Sequence, residues 1–177
     1  MKKALIVIDM QNDFIAGSLG TAEAQAIVDG CAAEIKSYKQ ETGLPVMFTM
    51  DTHGENYAET QEGRKLPVPH CIKGSTGWEL EDRIKALVEQ GDMVVEKPSF
   101  GCADIAERVK ALYGQIPDEI TVMGLCTDIC VVSNVMLLKA AFPEINIRLK
   151  ENCCAGVTPE SHRCAVEVMK MCQIEMI

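Results

Sequence analysis

The sequence has no run of apolar residues long enough to cross a bilayer. It has no CxxC pair either, which removes the basis for a zinc-ribbon or thioredoxin-type protein. Positive charge is in the minority: 17 Lys and Arg stand against 26 Asp and Glu, for a net charge of -9. Such a chain repels phosphate backbones and anionic lipid, so neither nucleic acid nor a membrane is expected as a partner. No secretion signal is expected either. Lys2 and Lys3 lead into an apolar run too short for a signal-peptide core, and no small-residue cleavage site follows before Asp9. A soluble cytoplasmic protein is the expectation.

Thiols, by contrast, are abundant: Cys31, Cys71, Cys102, Cys126, Cys130, Cys153, Cys154, Cys164 and Cys172. An odd count without a secretion signal argues against a disulfide framework. Cysteine is among the most buried residue types, so each is taken as a small core residue unless its position says otherwise. With 177 residues, 47% of them hydrophobic, the chain suffices for one domain over residues 1–177 with a sizeable core.

Five short apolar, β-branched runs, Lys3–Met10, Leu44–Met50, Met93–Glu96, Glu119–Gly124 and Ile145–Lys150, are mostly continuous rather than alternating. Strands buried on both faces have this character. Helical spacing occupies Ala22–Gln40, Trp78–Val88, Ile105–Leu112, Val131–Phe142 and Pro159–Cys172. Thr158-Pro159 supplies a cap and a first-turn proline, and Gly91 and Gly114 stand near helix ends. Gln173–Ile177 is a candidate sixth strand. The alternation predicts an α/β fold, a three-layer α/β/α sandwich with a mainly parallel sheet of five to six strands. Only Asp51–Gly77 breaks the rhythm. Long irregular loops in compact domains usually serve function, and this one holds two of the three histidines.

In open parallel sheets, ligands bind beyond the carboxyl ends of the strands. The expected strand ends carry Asp9, Asp51, Glu96-Lys97 and Cys126-Thr127-Asp128, with Cys130 opening the next helix. A helix N-terminus lowers a thiol pKa, and its free N–H groups can hold an oxyanion. Lys97 adds positive charge if the strands are adjacent, and Asp9 can take the thiol proton. Spacing alone is equally compatible with Cys130 as a packed hydrophobe, Lys97 at the surface and Asp9 capping a turn.

The segments Ile8-Asp9-Met10-Gln11-Asn12-Asp13-Phe14, Glu96-Lys97-Pro98-Ser99-Phe100 and Gly124-Leu125-Cys126-Thr127-Asp128-Ile129-Cys130-Val131 go further. They resemble, in that order, the three signature segments of the isochorismatase-like cysteine hydrolases, a superfamily that includes nicotinamidases. The resemblance runs from Lys3 to about Gly156. It implies a parallel sheet flanked by helices and a catalytic triad of Cys130, Asp9 and Lys97. It also implies a cis peptide between Leu125 and Cys126, turning the Cys126 N–H toward an oxyanion beside that of Cys130. The family often has alanine at the position of Cys126, so a second thiol stands near the site here.

Asp51-x-His53 and His70 resemble the metal site of nicotinamidases, and this donor set suits zinc, with iron or manganese as alternatives. The family's further ligand has no histidine to match it; Glu62 is the choice and Glu59 the alternative. Phe14 and Phe100 are expected as pocket walls, Trp78 as a further candidate, and His162 as a surface or capping residue. The resemblance implies an amidohydrolase that cleaves a small flat carboxamide, nicotinamide first, through a thioester, and working as a homo-oligomer. A carbamoyl or ureido hydrolase, and a nonenzymatic thiol-rich binding or redox-sensing protein, are the alternatives.

Overall fold

The computed structural model describes residues 2–177. The apolar runs become β1 (Lys3–Ile8), β2 (Met47–Asp51), β3 (Met93–Lys97), β4 (Glu119–Leu125) and β5 (Asn146–Ala155), joined by a short β6 (Glu175–Met176). They form one sheet in the order β3-β2-β1-β4-β5-β6, every pairing parallel. Ala4–Ile8 of the central β1 is buried throughout. A strand covered on both faces has no solvent side to make polar, which is why it reads as an unbroken apolar run.

The helices are α1 (Asn12–Ile15), α2 (Ala22–Thr42), α3 (Gln61–Lys65), α4 (Asp82–Lys85), α5 (Ile105–Tyr113), α6 (Val132–Ala141) and α7 (Pro159–Met171). Helix α2 packs across β1, β4 and β5 together with α4, while α5, α6 and α7 pack on one another in turn. Parallel crossovers of one hand leave these two groups on opposite faces, giving the expected three layers. Helix α7 starts as its sequence predicts: the Thr158 side chain caps it, Pro159 follows, and Ser161 closes a capping box. Among the described residues, no helix is long and apolar enough to cross a membrane.

Three elements differ from the sequence expectation. Trp78–Val88 does not form a helix beyond the single turn of α4. The backbone before it is already paired: Gly77 and Glu79 accept from Asp13 and Asn12, Glu81 donates to Met10, and Leu80 bridges Gln11. Strand β5 runs on past Lys150 to Ala155, with a register irregularity opposite Val122 and Gly124. The loop after β2 is not bare; it contains a 3-10 turn at Tyr57–Glu59 and α3.

From β1 the chain winds outward to β2 and β3, then returns to β4 and winds the other way. The topological switch lies between β1 and β4, the place where open parallel sheets bind their ligands beyond the carboxyl ends. These two strands meet closely at Gly124, which has a φ of 121°. A Cβ there would lie 2.1 Å from the Ile8 carbonyl oxygen. Gly124→Ala is therefore expected to cost about 3 kcal/mol or more in denaturant unfolding, or to prevent folding. Gly43→Ala, which keeps a positive φ but meets no atom, is expected to cost about 1 kcal/mol.

Candidate active site

Three strand ends converge on one ammonium group. Asp9 follows β1 in a left-handed backbone conformation, its N–H on the Thr49 carbonyl and its Oδ1 accepting from Thr49 Oγ1 at 2.6 Å. Lys97 ends β3 in register with Asp51 of β2. Its side chain passes the end of β2 to reach β1, and Nζ stands 2.6 Å from Asp9 Oδ2 and 3.5 Å from Asp51 Oδ1. The same Nζ is 3.5 Å from Cys130 Sγ and donates to the Ser99 carbonyl at 3.0 Å. Asp9 and Lys97 are closed off from solvent, at 0% and 1% exposure.

Cys130 does not open an α-helix. It lies in a π turn, Thr127–Val131, that precedes α6, with Val131 N–H bonded to the Cys126 carbonyl. Asn134, fully buried, donates to the Cys130 carbonyl at 2.8 Å and accepts from Cys102 N–H at 2.8 Å. The Leu125–Cys126 peptide is cis, and the Cys126 N–H has no acceptor among the described residues.

Burial reverses the expected thiol acidity. It pushes the Cys130 thiol well above the ordinary range, Asp9 adds to the rise, and Lys97 opposes without cancelling it. Burial also raises Asp9, with Lys97 pulling it down and Asp51 pushing it up. Lys97 would be lowered by burial, but Asp9, Cys130 and Asp51 outweigh that and hold it as an ammonium. The two shifts run the same way: burial favours the protonated form of both Cys130 and Asp9, and Lys97 opposes it in each. Asp9 Oδ2 has no well-angled hydrogen bond, although Lys97 lies in ion-pair contact, so the oxygen keeps a lone pair for a proton.

A second cluster shares a member with the first. Asp51, His53, Glu62 and His70 bring one ligand atom each within 4.8 Å of one another. His53 Nε2 stands 3.0 Å from Asp51 Oδ2 and 3.7 Å from Glu62 Oε1; His70 Nε2 is 3.6 Å and 3.5 Å from the same atoms. Four ligands around a tetrahedral ion at about 2.0–2.1 Å stand roughly 3.4 Å apart, so these four fit a divalent cation. His70 Nδ1 faces the Val68 carbonyl at 2.9 Å, which fixes the tautomer and leaves Nε2 free. The loop returns because His53 N–H bonds the Cys71 carbonyl and Lys73 N–H the His53 carbonyl. Tyr57 packs edge-on to His53 and His70, 4.8 and 5.1 Å between ring centroids, and Phe14 lies 5.6 Å from His70.

Glu59 is exposed and outside this cluster. Phe14 is buried, Phe100 is largely exposed, and Trp78 is half-buried with its Nε1 donating to Thr52 Oγ1. His162 is neither a cap nor a free surface residue: its Nδ1 lies 2.8 Å from Thr127 Oγ1. Sequence reasoning missed the residues that hold the site. Gln11 donates to the Asp51 and Trp78 carbonyls and accepts from Asp51 N–H, pinning the end of β2. Asp13 accepts from Cys71 N–H at 2.7 Å, anchoring the loop beside His70. Both lie in the first signature segment, which was the available signal; Thr49 and Asn134 carried none.

A model of the isochorismatase domain matches residues 3–177. The chain belongs to the isochorismatase family. Within that family it is 28% identical over 190 residues to a nicotinamidase/pyrazinamidase of Mycobacterium tuberculosis, covering 99% of this chain and 98% of that one. The crystal structure of a nicotinamidase from Bacillus subtilis superposes with a TM-score of 0.85 at 28% identity, covering 99% of both chains. An N-carbamoylsarcosine amidase from Thermoplasma acidophilum superposes with a TM-score of 0.78 at 27% identity, covering 99% of this isochorismatase-family chain and 95% of that one.

The second cluster makes a calorimetric prediction. Zinc affinity is expected to fall on the order of 100-fold in Glu62→Ala or His70→Ala, and to stay unchanged in Glu59→Ala. Burial acts to lower His70, but Asp51, the Val68 carbonyl and Glu62 outweigh it and raise the cation-free imidazole. A cation must displace that proton. Affinity should therefore weaken as pH falls through the raised value, beginning above the pH at which an ordinary histidine titrates.

Proposed function

We propose that this chain is an amidohydrolase that cleaves a small, flat carboxamide, with nicotinamide as the leading substrate, through a thioester on Cys130. The observation that carries the proposal is the buried Lys97 ammonium in contact with both Asp9 and Cys130. Asp9 takes the Cys130 proton and the sulfur attacks the amide carbon. Lys97 offsets the negative charge throughout. The backbone N–H groups of Cys126 and Cys130 receive the oxyanion. Asp9 then returns its proton to the departing amine, so the amide nitrogen leaves as ammonia. Water, with Asp9 as base, hydrolyses the thioester, releases the carboxylic acid and restores the thiol.

Asp51, His53, Glu62 and His70 would hold a divalent cation, zinc by donor type with iron or manganese as alternatives. Such a cation supplies a Lewis acid for a pyridine-type ring nitrogen. Phe14 and Phe100 would wall the ring's pocket. The likeness to nicotinamidases supports the substrate class, and the family resemblance supports a homo-oligomer. The likeness to a carbamoylsarcosine amidase keeps a carbamoyl substrate as the second choice. A redox-sensing role is disfavoured, because sensor thiols are acidic and accessible. Here burial pushes Cys126 up to about 12 and raises Cys130 as well.

Purified protein supplied with zinc, iron or manganese is expected to release ammonia from nicotinamide. Cys130→Ala should lower kcat/KM by about a thousandfold or more, while Cys126→Ala keeps most of the activity. Ammonia from an N-carbamoyl amine but not from nicotinamide would move the assignment to the second substrate class. Ammonia from neither would overturn the amidase proposal.

A further inference from the structure

The third histidine stands apart from both clusters, yet it touches the element that carries the thiol. His162 lies in α7, half-buried, with Nδ1 2.8 Å from Thr127 Oγ1. Thr127 is fully buried and is the first residue of the π turn. Its hydroxyl makes no other hydrogen bond among the described residues. The next residue, Asp128, accepts the Val157 N–H through both carboxylate oxygens at 3.1 and 3.2 Å. Helix α7 comes this close because Gly156 has no side chain: a Cβ there would lie 2.9 Å from the N, Cα and Cβ of His162. On the far side, Asn134 holds the Cys130 carbonyl. A π turn is an uncommon one-turn structure, so its shape depends on such outside ties.

We propose that His162 is a positioning residue for the nucleophile. Its bond to Thr127 fixes the turn that aims Cys130 Sγ at Lys97 and Asp9 and presents the Cys126 N–H beside it. The inference rests on Cys130 being the nucleophile. Either partner can donate in this bond, so the tie does not depend on the charge of the imidazole. Without His162 the buried Thr127 hydroxyl has no partner, and the turn shifts to find one. A small displacement of a reacting atom lowers turnover more than binding.

The test uses the full chain. Thr127→Val and His162→Phe are each expected to lower kcat about tenfold or more, with KM changed less than about twofold. Thr127→Ser keeps the hydroxyl and His162→Asn keeps a polar atom near the Nδ1 position, so both should stay close to the wild-type kcat. The Thr127→Val/His162→Phe double variant should be no slower than the slower single one, because both remove the same bond. A second readout needs no substrate. Iodoacetamide alkylation of Cys130, followed by peptide mass spectrometry, should slow by about fivefold in Thr127→Val as the sulfur leaves Lys97. If the wild type hydrolyses no amide, the amidase reading fails and this rate alone decides the tie; where the wild type is active, the Cys130→Ala comparison judges the nucleophile. Unchanged or faster alkylation in Thr127→Val, or single effects that multiply in the double variant, would overturn the proposal.

Discussion

The site is organised around one buried cation. Lys97 Nζ touches Asp9, Asp51 and Cys130 with almost no solvent exposure. A buried ammonium is tolerable only with carboxylates in contact, and those carboxylates are tolerable only because of it. Asp9 follows β1, Asp51 ends β2 and Lys97 ends β3. The charge requirement thus holds the ends of β1, β2 and β3 in one arrangement and brings the turn after β4 against them.

Asp51 carries that arrangement outward. One of its oxygens faces Lys97 and the other faces His53 and His70. Burial alone would raise its carboxyl; the two imidazoles and Lys97 outweigh that and hold it below the usual carboxylate range. A single side chain therefore belongs both to the thiol cluster and to the cluster suited to a cation. Gln11 fixes its backbone from both sides. In the proposed reading, a substrate held at the second cluster would be presented to the thiol at a set distance, and orientation of this kind is a large part of what an enzyme supplies.

The raised Cys130 thiol also bears on the mechanism. A preformed thiolate would be reactive toward any electrophile that reached it. In the proposed mechanism the sulfur becomes a nucleophile only when Asp9 takes its proton, as a bound amide is attacked. The other cysteines fit the packing role expected of them: Cys31, Cys71, Cys102, Cys153 and Cys154 are buried core residues, and only Cys164 is exposed.

The primary structure by itself determined the strand–helix alternation, the parallel sheet and the identity of Asp9, Lys97 and Cys130 as candidates. Continuous apolar runs and strand-end polar residues are local signals, and the three signature segments keep their order along the chain. It did not determine the end of β5 or the fate of Trp78–Val88, where backbone pairing with Met10–Asp13 overrides helical spacing. Only the tertiary structure decided that Glu62 rather than Glu59 joins the histidines, because that depends on how the loop after β2 folds back. It alone brought Thr49 to Asp9, Asn134 to the Cys130 carbonyl and His162 to Thr127, since residues 40, 4 and 35 positions from their partners carry no common local pattern. It also reversed the expected acidity of Cys130. Position in the sequence suggested a helix end that favours a thiolate, but the thiol's charge state is set by burial and by Asp9, and both exist only once the strands are assembled.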